Sequence, residues 1–208
     1  MKLIVITPST SRDREQNILK QMLDLGLPTL HIRKPHLSTE SLKKYLNNFS
    51  KEQLKHIMIH SHHSLLWDYN LKGIHLTKAH KKKQFRSWAI QKIIKLRRGN
   101  FSMSTSCNSI SSMAASYNEF EYIMLTPVFG QTQEHRPTFS RGTLDIIIEK
   151  YPGKLIARGG ANIESIAKAY DIGFTGMAFQ NFIWKSEDPV GQFIKVLERY
   201  KELGIPVE

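Results

Sequence analysis

Two glycine-marked turns one crossover apart have the residue types to grip an anion. Gly159-Gly160 follows the apolar run Leu155-Ile156-Ala157, and Gly173 and Gly176 mark a second run from Phe174 to Phe179. Glycine lets the backbone bend without steric cost, so peptide N–H groups can converge on a phosphoryl oxygen. Plain turns and close packing are the alternative use of the same residues. Arg33 closes the run Thr-Leu-His-Ile-Arg, where a guanidinium can bind a phosphate bidentately or form a surface ion pair. Arg158 stands beside the glycines and either adds a cation to that site or points away from it. The hydroxyls of Ser104 and Thr105 can donate to a ligand or be satisfied by backbone. His75, inside an apolar run, reads as a satisfied core histidine. His60, His62 and His63 suggest a metal, but they straddle a strand end and turn with no cysteine or carboxylate nearby, so no metal site is assigned.

These residues need a frame that brings distant strand ends together. Apolar runs at Leu3–Pro8, Thr29–Arg33, Ile57–Ile59, Gly73–Leu76, Tyr122–Leu125, Leu155–Ala157 and Phe174–Phe179 read as strands, with the more polar Phe101–Thr105 as the fifth of eight. Between them fall helical patterns, beginning with Arg12–Gly26 and Ser38–Phe49 and ending with Val190–Leu203; a short helix holds Leu65 to Trp67, and Asn162 caps another. Strands and helices in alternation with short connections predict parallel strands joined by right-handed crossovers. The expected fold is α/β, a single TIM (β/α)₈ barrel over residues 1–208, with its site at the strands' carboxyl ends. A doubly wound open sheet would need a glycine-rich loop after the first strand, and Pro8-Ser9-Thr10 is not one.

Composition narrows the partners. The net charge is +12 and the pI about 9.8. Between Asp68 and Glu119 there is no carboxylate, while lysines and arginines crowd positions 78–98. Such a stretch is a solvated face or a surface for nucleic acid or an anionic ligand. No apolar run approaches the roughly 20 residues of a membrane span, and the apolar start is too short for a signal peptide, so a cytoplasmic location is expected. The single cysteine, Cys107, excludes an intramolecular disulfide.

The order of short motifs carries a resemblance. His31-Ile32-Arg33, Gly73-Ile74-His75-Leu76, Ser104-Thr105, Thr126-Pro127-Val128-Phe129, Ala157-Arg158-Gly159-Gly160-Ala161 and Gly173-Phe174-Thr175-Gly176-Met177-Ala178 fall on successive strands. They resemble, in the same order, the strand-end motifs of the thiamine phosphate synthase family and its TenI-like thiazole tautomerase relatives, over nearly the whole chain. The likeness implies a barrel with a phosphate site after the seventh and eighth strands. It implies a transferase of thiamine biosynthesis that joins a hydroxymethylpyrimidine diphosphate to a thiazole phosphate and releases pyrophosphate, with Mg²⁺ as the expected cofactor. On this reading Gly159, Gly160, Gly176, Gln180 and Asn181 bind the phosphate of thiazole phosphate or thiamine phosphate. Arg33 and Ser104 serve catalysis at the pyrimidine or diphosphate half, with further contacts from His60, Thr105, His80, Arg136 and Arg158.

The chain departs from these relatives where they bind metal. Their Asn-Asp after the third strand is His60-Ser61, a later aspartate falls at Ala79-His80, and a strand-end lysine has become Pro35. Both metal-binding carboxylates are replaced, so the cations Arg33, Lys34, His62, His63, Lys78, His80 and Arg136 are candidates to hold a diphosphate instead. Tautomerase chemistry is disfavoured, because Pro127 stands where that branch carries a histidine, unless His135 or Glu134 reaches in. A catalytically impaired phosphate-ligand-binding or regulatory protein is the alternative. A phosphorylated small molecule is the expected partner, a homodimer is compatible, and no helix-turn-helix signature supports nucleic acid.

Overall fold

The computed structural model describes residues 1–77, 101–114, 118–129 and 139–208. Eight parallel strands close into a barrel in sequence order. They are β1 (Lys2–Ile6), β2 (Thr29–Ile32), β3 (Ile57–Ile59), β4 (Gly73–Leu76), β5 (Ser102–Cys107), β6 (Tyr122–Leu125), β7 (Leu155–Arg158) and β8 (Gly176–Phe179). The expected TIM barrel is therefore observed, with β8 paired to β1 through Lys2 opposite Gly176 and Ile4 opposite Ala178.

Strand residues alternate between two faces, and the apolar residues divide accordingly. Ile4, Ile6, Met58, Met124, Ile156 and Ala178 form an inner cluster with Tyr122. Leu3, Val5, Leu30, Ile32, Ile57 and Ile59 face the other way and pack with the helices. Burial on both faces explains why most strands read as unbroken apolar runs. Each fully buried Leu or Ile contributes about 1.5–3 kcal/mol relative to exposure.

The helices are α1 (Glu15–Asp24), α2 (Thr39–Leu46), α3 (Lys51–Leu54), α4 (Ile110–Ala114), α5 (Arg141–Lys150), α6 (Glu164–Ile172), α7 (Asn181–Trp184) and α8 (Pro189–Glu202). The expected helix after β2 ends early, and Ser50 and Gln53 form a capping box that opens α3. Residues His63–Trp67 make a 3₁₀ helix. The segment after β7 starts as expected: Asn162 Oδ1 accepts a hydrogen bond from Ser165 N at 2.9 Å. The expected basic helix between β4 and β5 lies outside the described residues. Among those residues no helix is long and apolar enough to cross a membrane.

Candidate functional site

The carboxyl ends of β7 and β8 border a cleft of about 660 Å³. Gly159, Gly160 and Ala161 line it from one side, Gln180, Asn181 and Phe182 from the other, with Arg158, Thr126 and Lys185 completing the wall. Among the described residues no aspartate or glutamate lines it. Gly159 has φ +87°, and a Cβ there would lie 2.8 Å from both Cα and Cβ of Pro127. The turn is held from behind: Val128 N donates to Arg158 O at 2.8 Å, and Phe129 N donates to Gly159 O at 2.9 Å. These bonds occupy carbonyls. Among the described residues no group accepts a hydrogen bond from the N–H of Gly159 or Gly160.

Gly176 does not join this turn. It opens β8 at the other end of the barrel, where a Cβ would meet Ile156 Cδ1 and Lys2 O at 2.6 Å. Its role is close packing of strands, which corrects its expected place in the phosphate site. Parallel strands put their starts and ends on opposite rims, and a glycine marks either.

Below the rim the barrel interior is polar along β2 to β5. His31 Nδ1 lies 2.9 Å from His60 Nε2, and His31 Nε2 lies 2.6 Å from the Tyr122 hydroxyl. His75 Nδ1 pairs with Ser104 Oγ at 2.9 Å, and His75 Nε2 with Ser106 Oγ at 3.1 Å. The rings of His60 and His75 stack with centroids 4.2 Å apart. Ser106 also accepts a 3.4 Å hydrogen bond from Arg158, whose other terminal nitrogen donates to Gln180 Oε1 at 3.3 Å. A continuous polar chain thus links the buried histidines to the cleft.

Burial, then the neighbouring His75, holds His31 well below the ordinary imidazole value, and the same causes lower His60. Burial, then the like charge of Arg33, brings Arg158 down to about 10, so it remains a cation at neutral pH. The histidine shifts set the sign of an acid effect. Their folded values lie below 6.5, so the unfolded chain binds more protons, and stability is lost as pH falls below that value. Thermal melts between about pH 7.5 and pH 5, above most carboxylate titration, should show a falling Tm. A Tm that stays level across this window would contradict neutral, buried imidazoles.

The other expected residues divide. Arg33 lies at the rim, close enough for its charge to act on both His60 and Arg158. Ser104 faces inward and holds His75. Thr105 does not reach the site: it faces away, and its hydroxyl donates to Leu76 O at 2.8 Å. Of the histidine trio, His60 turns into the barrel beside His31 and His75. His62 pairs with Thr39 Oγ1 at 2.8 Å and Leu37 O at 2.7 Å, which ties loops together. Lys34 is not available to a diphosphate, because its ammonium is enclosed by Pro8 O, Thr10 O and Glu15 Oε2. His75 is indeed satisfied, by Ser104 and Ser106. Lys78, His80, Glu134, His135 and Arg136 lie outside the described residues. Sequence reasoning missed Ser106, Tyr122 and Lys185, and did not bring His31 to the other histidines. The period-two series Ser102, Ser104, Ser106 was a usable signal for the first.

With this geometry in place, comparison with known proteins is informative. The family model described as thiamine monophosphate synthase matches residues 3–183. None of the curated proteins matches significantly. A thiamine phosphate pyrophosphorylase from Bacteroides thetaiotaomicron superposes with a TM-score of 0.79 at 23% identity, covering 97% of this chain and 98% of that one. A thiamine phosphate pyrophosphorylase from Pyrococcus furiosus has a TM-score of 0.75 at 16% identity, covering 97% and 96%. A (S)-3-O-geranylgeranylglyceryl phosphate synthase from Thermoplasma acidophilum, in complex with sn-glycerol-1-phosphate, has a TM-score of 0.64 at 12% identity, covering 97% and 93%. At these identities the structural likeness establishes the fold.

Proposed function

Since the chain belongs to the thiamine monophosphate synthase family, we propose that its cleft binds a thiazole phosphate, or the thiamine phosphate product, by the phosphoryl group. The supporting observation is the convergence of the Gly159-Gly160 turn, Gln180, Asn181 and the cation Arg158 on one cleft at the strands' carboxyl ends. The N–H groups of the turn and the guanidinium are the donors an oxyanion needs. Arg33 stands on the side toward β2 and β3, where a pyrimidine diphosphate half would lie against its fixed positive charge. In the reaction proposed, the thiazole nitrogen forms a bond to the pyrimidine's methylene carbon, and the bond from that carbon to the diphosphate oxygen breaks. Pyrophosphate departs with the bonding electrons. The protein's share is orientation and stabilisation of the leaving anion.

Magnesium does not fit the residues described here. It requires oxygen ligands in octahedral array, commonly a carboxylate with phosphate oxygens and waters. At the end of β3 the chain presents an imidazole and a hydroxyl, His60 and Ser61, and among the described residues no carboxylate lines the cleft. That donor set favours the second reading, a protein that binds the phosphorylated ligand with little or no turnover.

Purified protein mixed with both substrates separates the two readings. Release of pyrophosphate with formation of thiamine phosphate supports the synthase, whereas calorimetric binding of thiazole phosphate without release supports the binding protein. Absence of both would sink the proposal. Replacing Arg158 with methionine should weaken thiazole phosphate binding about tenfold to a hundredfold, the worth of a charge-assisted hydrogen bond. An unchanged Kd would remove Arg158 from the site.

A further inference from the structure

Three inward-facing histidines on consecutive strands form a grouping that the proposed reaction does not use. His31 of β2, His60 at the end of β3 and His75 of β4 are all buried, and one nitrogen from each lies within 4.8 Å of the other two. We propose that this cluster binds one transition-metal ion of the zinc class inside the barrel, through His31, His60 and His75.

The donor chemistry selects the ion. Neutral imidazole suits zinc, copper and nickel, whereas magnesium and calcium prefer oxygen. Three histidines are a common zinc set, with a fourth position left for water or an anion. The surrounding groups already do what outer partners of metal-bound histidines do. In the tautomer that coordination needs, His31 Nε2–H donates to the Tyr122 hydroxyl oxygen, 2.6 Å away. That leaves the His31 Nδ1 lone pair directed at His60 Nε2. His75 is held by Ser104 at Nδ1 and by Ser106 at Nε2, so one of these bonds must yield its nitrogen to the metal while the other fixes the ring. Partners of this kind fix the ring and its tautomer for coordination.

Several features oppose binding. The 2.9 Å contact between His31 and His60 must open, since zinc bonds of about 2.0–2.1 Å in tetrahedral array separate ligand nitrogens by about 3.3 Å. His60 must also move its proton from Nε2 to Nδ1. The first change is a few tenths of an ångström and the second a tautomer exchange, while nitrogens up to 4.8 Å apart must close toward the same separation. Arg158 repels a dication from beyond Ser106, so the site is best matched to a metal whose fourth ligand is an anion. None of this requires the cleft to hold a thiazole phosphate.

The test uses the full chain, stripped with a chelator, reloaded with Zn²⁺ and desalted, with metal counted by mass spectrometry. One zinc per chain is expected. X-ray absorption at the zinc edge of the unmutated protein should count three imidazole ligands, and the Co²⁺ form should show the intense visible bands of four-coordination. Tyr122→Phe should weaken zinc about tenfold through loss of orientation alone. His60→Gln, checked for folding by circular dichroism, should retain less than one tenth of the metal, while the exposed His56→Gln should retain all of it. Fewer than about 0.1 zinc per folded chain, or a ligand set with fewer than three imidazoles, would overturn the proposal. So would undiminished zinc in folded His60→Gln.

Discussion

Glu15→Ala should destabilise the barrel by about 3–5 kcal/mol, the cost of leaving a buried charge without its partner. The Lys34 and Glu15 side chains are 1% and 2% exposed and meet at 2.7 Å. Lys34 Nζ also donates to Pro8 O at 2.9 Å and Thr10 O at 2.8 Å, while the Tyr45 hydroxyl donates to Glu15 Oε1. The chain leaving β1 is wrapped around this ammonium, and the first residue of α1 closes it. Removing the carboxylate strands the cation in a dry site and orphans the Tyr45 hydroxyl. At about 2–4 °C per kcal/mol for a chain of this size, Tm should fall by roughly 6–20 °C. Glu15→Gln keeps an acceptor and should lie between. A Glu15→Ala protein melting within a degree or two of the parent would show that water reaches the pair.

The second large effect is expected at the rim. Gly159→Ala combines an unfavourable φ of +87° with a Cβ only 2.8 Å from the Pro127 ring. Left-handed backbone costs a residue with a side chain about 1–2 kcal/mol, and the collision adds to that. The turn must move, and it cannot do so alone because Val128 and Phe129 hold Arg158 and Gly159 by their carbonyls. Thiazole phosphate binding should fall by more than about tenfold, since one displaced donor is worth about 1.5 kcal/mol or more. Gly153→Ala supplies the control. It has φ +79° but nothing within 4 Å of its added Cβ, so it carries the backbone strain without the collision. It should lose stability and keep binding. Equal binding losses in the two variants would mean that the turn after β7 is not the site.

Much of this frame was legible in the sequence, because a strand buried on both faces must be apolar throughout, as Ile57-Met58-Ile59 and Leu155-Ile156-Ala157 are. β5 was recognisable as the polar strand, yet its meaning depends on parity. Ser104 and Thr105 cannot both face the interior, and only the closed barrel shows that Ser104 does while Thr105 bonds to Leu76. Gly176 was misplaced because a glycine that lets β8 pass Lys2 and one that frees a turn look alike in a string of letters. The cluster of His31, His60 and His75 was hidden for another reason. Its members come from three strands, and no spacing along the chain encodes which rings will touch. Lys34 reads as a cation free to hold a diphosphate until Glu15 is found against it.

The polar wedge inside the barrel also bears on how the protein responds to temperature. Unfolding hydrates apolar surface with a gain in heat capacity of about 0.45 cal/K/mol per Å², but polar surface with a loss of about 0.26. The imidazoles and hydroxyls on β2 to β5 occupy volume that aliphatic side chains would otherwise fill, so they subtract from that gain. The free-energy curve should therefore be broader and flatter than that of a barrel filled with aliphatic residues, with stability changing less steeply on either side of its optimum.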